Sequence, residues 1–162
     1  THFENSHGLP HPDHISTARD LAILAAAAIR DHPDRYEIYK EQNYTYNDIT
    51  QFNRNQLLRE DNSVDGLKTG YTRDAGYGLV ASAERQGMRF ISIVLGSSSA
   101  NSRKSETRSL LNYGFRFFET ISPLAVDEVI SEYRVWKGIK EYVPLGIRSP
   151  FNQSSMFSIK TV

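Results

Sequence analysis

Apolar residues recur along this chain in two rhythms, and the rhythms separate helices from strands. From residue 18 onward Leu21, Leu24, Ala25, Ala28 and Ile29 fall three and four positions apart, the spacing of one helical face. Thr17, with Asp20 three positions on, is a variant of the capping box that starts such a helix, and Asp31-His32-Pro33 stops it. Further on the period shortens to that of strands. Residues 64–72, 77–83 and 88–95, joined by Asp74-Ala75-Gly76 and Arg85-Gln86-Gly87, predict three consecutive antiparallel strands. In the last of them Phe90-Ile91-Ser92-Ile93-Val94-Leu95 is nearly all apolar, which predicts a central strand covered by helices on both faces. The helical period returns after Ser102, a good N-cap. Leu110, Tyr113, Gly114, Phe117 and Phe118 then form a stripe expected to pack on the sheet, ended by Ile121-Ser122-Pro123.

The remaining segments are less regular. Residues 1–14 combine Gly, Pro, Asn and His without a period and read as an ordered loop. Between residues 36 and 46, aromatic and β-branched residues flank Gln42-Asn43, predicting a short strand pair or a strand with an extended loop. Residues 47–63 are polar and Asn-rich around Leu57 and Leu58, which predicts a long surface loop. Residues 126–145 are β-rich around Tyr133, Val135, Trp136 and Tyr142, and 146–162 follow neither period. The expected organisation is α/β, an antiparallel sheet covered by helices over residues 1–122, followed by the start of a small β domain over 123–162 with an atypical tail from 146.

Composition narrows the chemistry. The 162 residues carry 19 Lys and Arg against 19 Asp and Glu, so no electrostatic footprint for nucleic acid or an anionic membrane surface is expected. The longest apolar run, 21–29, is mostly alanine, ends at Arg30, and falls short of the ~18 residues a membrane helix needs. The lack of cysteine excludes disulfides, thiolate nucleophiles and cysteine zinc sites. The chain opens on Thr1 without a leader pattern, so a processed chain or an excerpt from a longer one is expected.

Lys68-Thr69-Gly70 carries the candidate chemistry. On its own the tripeptide is weak; on a strand followed by a hairpin, an apolar strand and a closing helix it matches the third motif of serine acyl-transferases that bind penicillin. An ammonium can assist proton transfer, a hydroxyl can bond a carboxylate, and glycine leaves room for a substrate backbone beside the strand. Around it, Thr1-His2-Phe3, Ser6-His7-Gly8-Leu9, Ser16-Thr17-Ala18-Arg19-Asp20-Leu21-Ala22, Phe52-Asn53-Arg54-Asn55, Val64-Asp65-Gly66-Leu67, Tyr71-Thr72, Ala75-Gly76-Tyr77 and Tyr113-Gly114-Phe115-Arg116-Phe117-Phe118-Glu119 occur in a characteristic order. With these motifs the chain resembles the low-molecular-mass penicillin-binding proteins of the D-alanyl-D-alanine carboxypeptidase type, over about residues 1–145.

The resemblance implies a β-lactamase and penicillin-binding-protein-like fold. It also implies serine-type removal of the terminal D-Ala from peptidoglycan stem peptides, acylation by β-lactams, no cofactor and no metal. Lys68 would be catalytic, and Thr69, Gly70, Tyr71 and Thr72 would line the substrate strand, with the Tyr71 N–H as half of an oxyanion hole. Arg103 would recognise the substrate's terminal carboxylate, with Arg54 as a supporting residue beside the cleft. The implied location is periplasmic, with membrane contact only through a segment outside these residues.

Two departures matter. No lysine has a serine three positions before it, so the family's Ser-x-x-Lys nucleophile motif is missing. Its Ser-x-Asn motif occurs only downstream, as Ser99-Ala100-Asn101, which reads as coincidence. The chain is therefore expected to be the C-terminal part of the catalytic domain and inactive alone. An endopeptidase, a β-lactamase of the same fold or a non-catalytic peptide-binding fragment are the alternatives. His7, His11 and His14 invite a metal reading, but Pro10 and Pro12 prevent a helix that would present them on one face, and His7 reads better as a structural histidine.

Overall fold

Thr17 accepts the Asp20 N–H at 3.1 Å and starts α1, Ala18–Asp31, where the sequence predicts it. The apolar stripe is only partly covered, with Ala25 buried and Leu24 exposed. The computed structural model of the chain describes residues 1–151 and the backbone of the strand Gln153–Met156. Pro33, suited to a first helical position, opens α2, Pro33–Tyr36, and a 3₁₀ turn, Glu37–Lys40, follows. The stretch expected to be extended from residue 36 is thus helical to Lys40. Tyr36 is buried against Gly66, where any Cβ would collide with the phenol ring.

The first hairpin comes later than predicted. β1, Asn43–Tyr46, pairs antiparallel with β2, Ile49–Phe52, through Asn47-Asp48, whose φ angles of 48° and 60° suit a tight turn of the primed type. A one-turn helix, α3, Leu57–Glu60, buries Leu57 and Leu58. The expected surface loop over 47–63 is therefore a strand, a turn and a helix.

The predicted three-stranded antiparallel meander is present as β3, Val64–Thr72, β4, Gly76–Arg85, and β5, Met88–Ser97. Among the described residues the strand order is β3-β4-β5, so β4 is central and the apolar run of β5 occupies an edge there, where a central strand was expected. The run is apolar because helices lie on both faces. α4, Ala100–Phe117, packs Leu111 into a core with Leu57, Leu58, Val64, Leu79, Ala81 and Ala83, joined by Phe90 and Phe115. The alternation of the strands turns Val80, Ser82 and Leu95 to the other face, where α1 lies.

Ser99, not Ser102, caps α4: its Oγ accepts the Ser102 N–H at 3.0 Å. The buried stripe of that helix is Arg103, Thr107, Leu111 and Gly114, whereas Leu110 and Tyr113 are half exposed. Phe118, expected on the helix, begins β6, Phe118–Ile121.

The chain divides into two compact units, Thr1–Arg116 and Phe117–Val162. In the second, β6 pairs antiparallel with β9, Gln153–Met156, and β7, Ser131–Arg134, pairs with β8, Tyr142–Leu145. The β-rich character expected over 126–145 is present, while positions 152 and 157–162 of the expected atypical tail lie outside the described residues. Among the described residues no helix is long and apolar enough to cross a membrane.

Candidate active site

β3 is an edge strand, with β4 as its only strand partner among the described residues, so one row of its backbone donors and acceptors faces outward. Lys68, Gly70 and Thr72 alternate onto one face and stand opposite Val80, Gly78 and Gly76 in the β3–β4 register. Lys68 is exposed, and its Nζ donates to the Thr69 carbonyl at 2.5 Å. Thr69 is half-buried. A Cβ on Gly70 would meet nothing within 4 Å, so the strand presents bare backbone there. Thr72 Oγ1 accepts the Ala75 N–H at 3.0 Å and fixes the end of the strand to its turn.

A cleft of about 820 Å³ opens over this end of the sheet. Gly70, Tyr71, Thr72 and Gly78 line one side, and Phe3, Leu9 and His11 of the N-terminal loop line another. Paired backbone hydrogen bonds between His2 and Ile15, 2.8 and 3.0 Å long, close that loop at its base.

Arg103 lies on the α4 side of the sheet, behind the cleft floor. It is 8% exposed, and its Nη1 donates to the carbonyls of Gly70 at 3.4 Å and Gly78 at 3.3 Å. Its guanidinium stands 5.7 Å from the Tyr77 ring, and Tyr77 in turn stacks on Tyr71 with centroids 4.3 Å apart. Nε is buried without a hydrogen-bond partner, and among the described residues no carboxylate pairs with the side chain. Burial pulls the guanidinium pKa below its ordinary value, and the Tyr77 phenol opposes that pull. A desolvated cation without a counter-charge is costly, and an anion at this end of β3 would offset the cost.

Arg54 stands apart. It is exposed, makes no hydrogen bond or ion pair with the described residues, and does not line the cleft. Its neighbours do the structural work: Asn55 is buried and donates to the Gly66 carbonyl at 3.0 Å, while Asn53 Oδ1 accepts the Asn55 N–H at 2.9 Å. The structure thus brings Gly70, Tyr71 and Thr72 into the cleft with Lys68 and Thr69 beside them on β3, sets Arg103 behind the strand, and leaves Arg54 outside. The sequence reading missed Tyr77, Gly78 and the facing wall from Phe3 to His11. The available signal was the pair Gly76 and Gly78 beside the Lys-Thr-Gly strand, since glycines on both partners leave a bare floor.

A family model described as D-alanyl-D-alanine carboxypeptidase matches residues 1–99. The D-alanyl-D-alanine carboxypeptidase DacC of Escherichia coli (strain K12) is 50% identical over 147 residues, covering 90% of this chain and 37% of its own length. Among solved structures, penicillin binding protein 5 from Haemophilus influenzae matches with a TM-score of 0.82 at 44% identity, covering 95% of this chain and 45% of that one. Penicillin-binding protein D2 from Listeria monocytogenes, in its cefotaxime bound form, matches with a TM-score of 0.62 at 37% identity, covering 67% of this chain and 45% of that one. The chain therefore spans less than half the length of each of these relatives.

Proposed function

The chain belongs to the D-alanyl-D-alanine carboxypeptidase family, and from that premise we propose that it supplies the substrate-binding strand of a serine-type carboxypeptidase acting on peptidoglycan stem peptides. The observation that carries the reading is the open, glycine-floored edge of β3 backed by a buried arginine that has no carboxylate partner among the described residues.

A peptide ending in D-Ala-D-Ala would lie beside β3 as an added strand, its backbone meeting the outward row of β3 groups. The Thr69 hydroxyl and the Arg103 charge would hold its terminal carboxylate, with Thr72 fixing the strand end. The Tyr71 N–H would stabilise the oxyanion that forms when serine attacks the scissile carbonyl. Lys68 would assist proton transfer to the departing D-Ala amine. Hydrolysis of the acyl-serine would complete the cycle, and β-lactams would enter it at the acylation step. Arg54, outside the cleft, would act at most on substrate reaching beyond it.

The 162 residues hold no Ser-x-x-Lys motif, so the attacking serine has to come from sequence outside them. We assign residues 1–122 to the catalytic domain and 123–162 to the start of a β-rich domain. The protein would work in the periplasm, attached to the inner membrane through a segment outside these residues.

Intact-mass measurement of the protein isolated from its source, with and without a slow-leaving penicillin, tests the reading. The expected result is a polypeptide larger than these residues that gains one drug mass. A polypeptide of 162 residues without an adduct would overturn the catalytic reading in favour of a peptide-binding role. Product analysis on a D-Ala-D-Ala peptide, a cross-linked peptide and a β-lactam then separates carboxypeptidase from endopeptidase and β-lactamase.

A further inference from the structure

The N-terminal loop gathers a set of metal-binding side chains different from the three histidines that the sequence spacing offers. His7 Nδ1 accepts the Leu9 N–H, His11 Nδ1 the Asp13 N–H and His14 Nδ1 the Glu4 N–H, each at 3.2 Å, so all three rings brace the loop, and what sets His11 apart is the pair of carboxylates beside it. The atoms that converge belong to Glu4, His11 and Asp13, each with one donor atom within 4.8 Å of the others. His2 completes the group from outside, with its Nε2 2.7 Å from Glu4 Oε1. We propose that Glu4, His11 and Asp13 form a binding site for a divalent first-row transition metal of the zinc type, with His2 orienting the Glu4 carboxylate.

The donor chemistry selects the ion. Magnesium and calcium favour all-oxygen shells, whereas an imidazole with two carboxylates suits zinc and its neighbours. Three protein ligands leave a fourth tetrahedral position for water. Around tetrahedral zinc the ligand atoms lie about 3.3 Å apart, given bonds of about 2.0 Å. His11 Nδ1 and Asp13 Oδ2 are already 3.9 Å apart, and all three side chains are exposed, so rotation about their own bonds, with a metal on Nδ1 replacing the hydrogen bond that it accepts from the Asp13 N–H, can close the shell without moving the core.

The backbone limits how far the ligands can separate. Pro10 and Pro12 restrict the chain on both sides of His11, and the His2–Ile15 bridge pins the base of the loop. His2 donating to Glu4 is the arrangement in which an outer hydrogen bond fixes a ligating carboxylate. Because His11, Phe3 and Leu9 line the cleft, a metal joining Glu4 to residues 11 and 13 would stiffen that wall. The site stands independently of the carboxypeptidase reading.

Calorimetric titration of the full chain with Zn²⁺, with Co²⁺ absorption as the readout of coordination, tests the proposal. One Zn²⁺ per chain is expected, together with the d–d bands of a tetrahedral nitrogen-and-oxygen Co²⁺ site. His11→Ala should abolish both signals, His2→Ala should weaken binding about 10- to 100-fold, as for loss of an outer partner, and His7→Ala should leave it unchanged. These exposed substitutions should keep the far-ultraviolet circular dichroism of the parent chain. Equal affinity in the parent and His11→Ala, or loss of binding in His7→Ala, would overturn the assignment.

Discussion

A guanidinium that leaves water without meeting a carboxylate is held by the dipoles around it. For Arg103 those are the carbonyls of Gly70 and Gly78, one on each strand of the β3–β4 pair. Two roles follow, and they respond differently to substrate. If Arg103 reads the terminal carboxylate, Arg103→Ala in the active protein should cost about 10- to 100-fold in kcat/KM on free-carboxylate peptides, the worth of a hydrogen bond to a charged group, and far less on the matching amides. Equal losses on acids and amides would confine Arg103 to holding the two carbonyls. Its sequence position already singles the residue out, because a cation in the first turn of a helix opposes the helix dipole. The carbonyl pair was not legible, since it depends on a register that places two glycines opposite each other.

Legibility at the scale of elements followed turn chemistry and failed where burial is polar. β3, β4 and β5 could be read because Gln86-Gly87, with φ angles of 52° and 76°, and the turn before Gly76 punctuate them. The β1–β2 hairpin was placed too early because its turn, Asn47-Asp48, lacks the glycine that usually marks a left-handed pair. The phase of α4 was misjudged by counting apolar residues. Its buried stripe includes Thr107, whose hydroxyl donates to the Arg103 carbonyl at 2.8 Å, and Arg103 itself, whose Nη1 donates to two carbonyls of the sheet. Hydropathy cannot register a polar residue whose partners are backbone carbonyls. The observed phase makes its own prediction at Gly114, where a Cβ would approach three atoms of the Phe90 ring at 3.1 to 3.3 Å. Phe90 is held edge-on by Phe115, with ring centroids 4.9 Å apart, so it has little freedom to yield. Overpacking of about 1–3 kcal/mol should outweigh the ~1 kcal/mol that alanine adds to a helix interior. Gly114→Ala should therefore lower the urea midpoint; a raised midpoint would place Gly114 away from the packed face.

Across the whole of the first unit, one cation joins segments far apart in sequence. Arg85, at the end of β4, reaches Asp61 at 2.8 Å beyond α3, Ser63 at 3.0 Å, and Asn112 of α4 at 3.3 Å, with its guanidinium 4.3 Å from the Phe115 ring. Burial pushes the Asp61 pKa up. The Ser63 hydroxyl and N–H, at 2.6 and 2.9 Å, and the Arg85 charge outweigh burial and hold it below the ordinary value of 3.8. A depressed folded-state pKa means that the unfolded chain takes up the proton first as the solution is acidified. The stabilisation is complete above the ordinary carboxylate value and disappears as the pH falls through the lower folded-state pKa. Partial exposure of the Arg85–Asp61 pair screens its Coulomb energy, so the hydrogen bonds should dominate. Asp61→Asn should lose about 1–3 kcal/mol near neutral pH and should show a shallower decline than the parent when urea unfolding is followed into acid. Parallel declines of the two proteins below pH 3.8 would assign the acid sensitivity of this unit to other carboxylates.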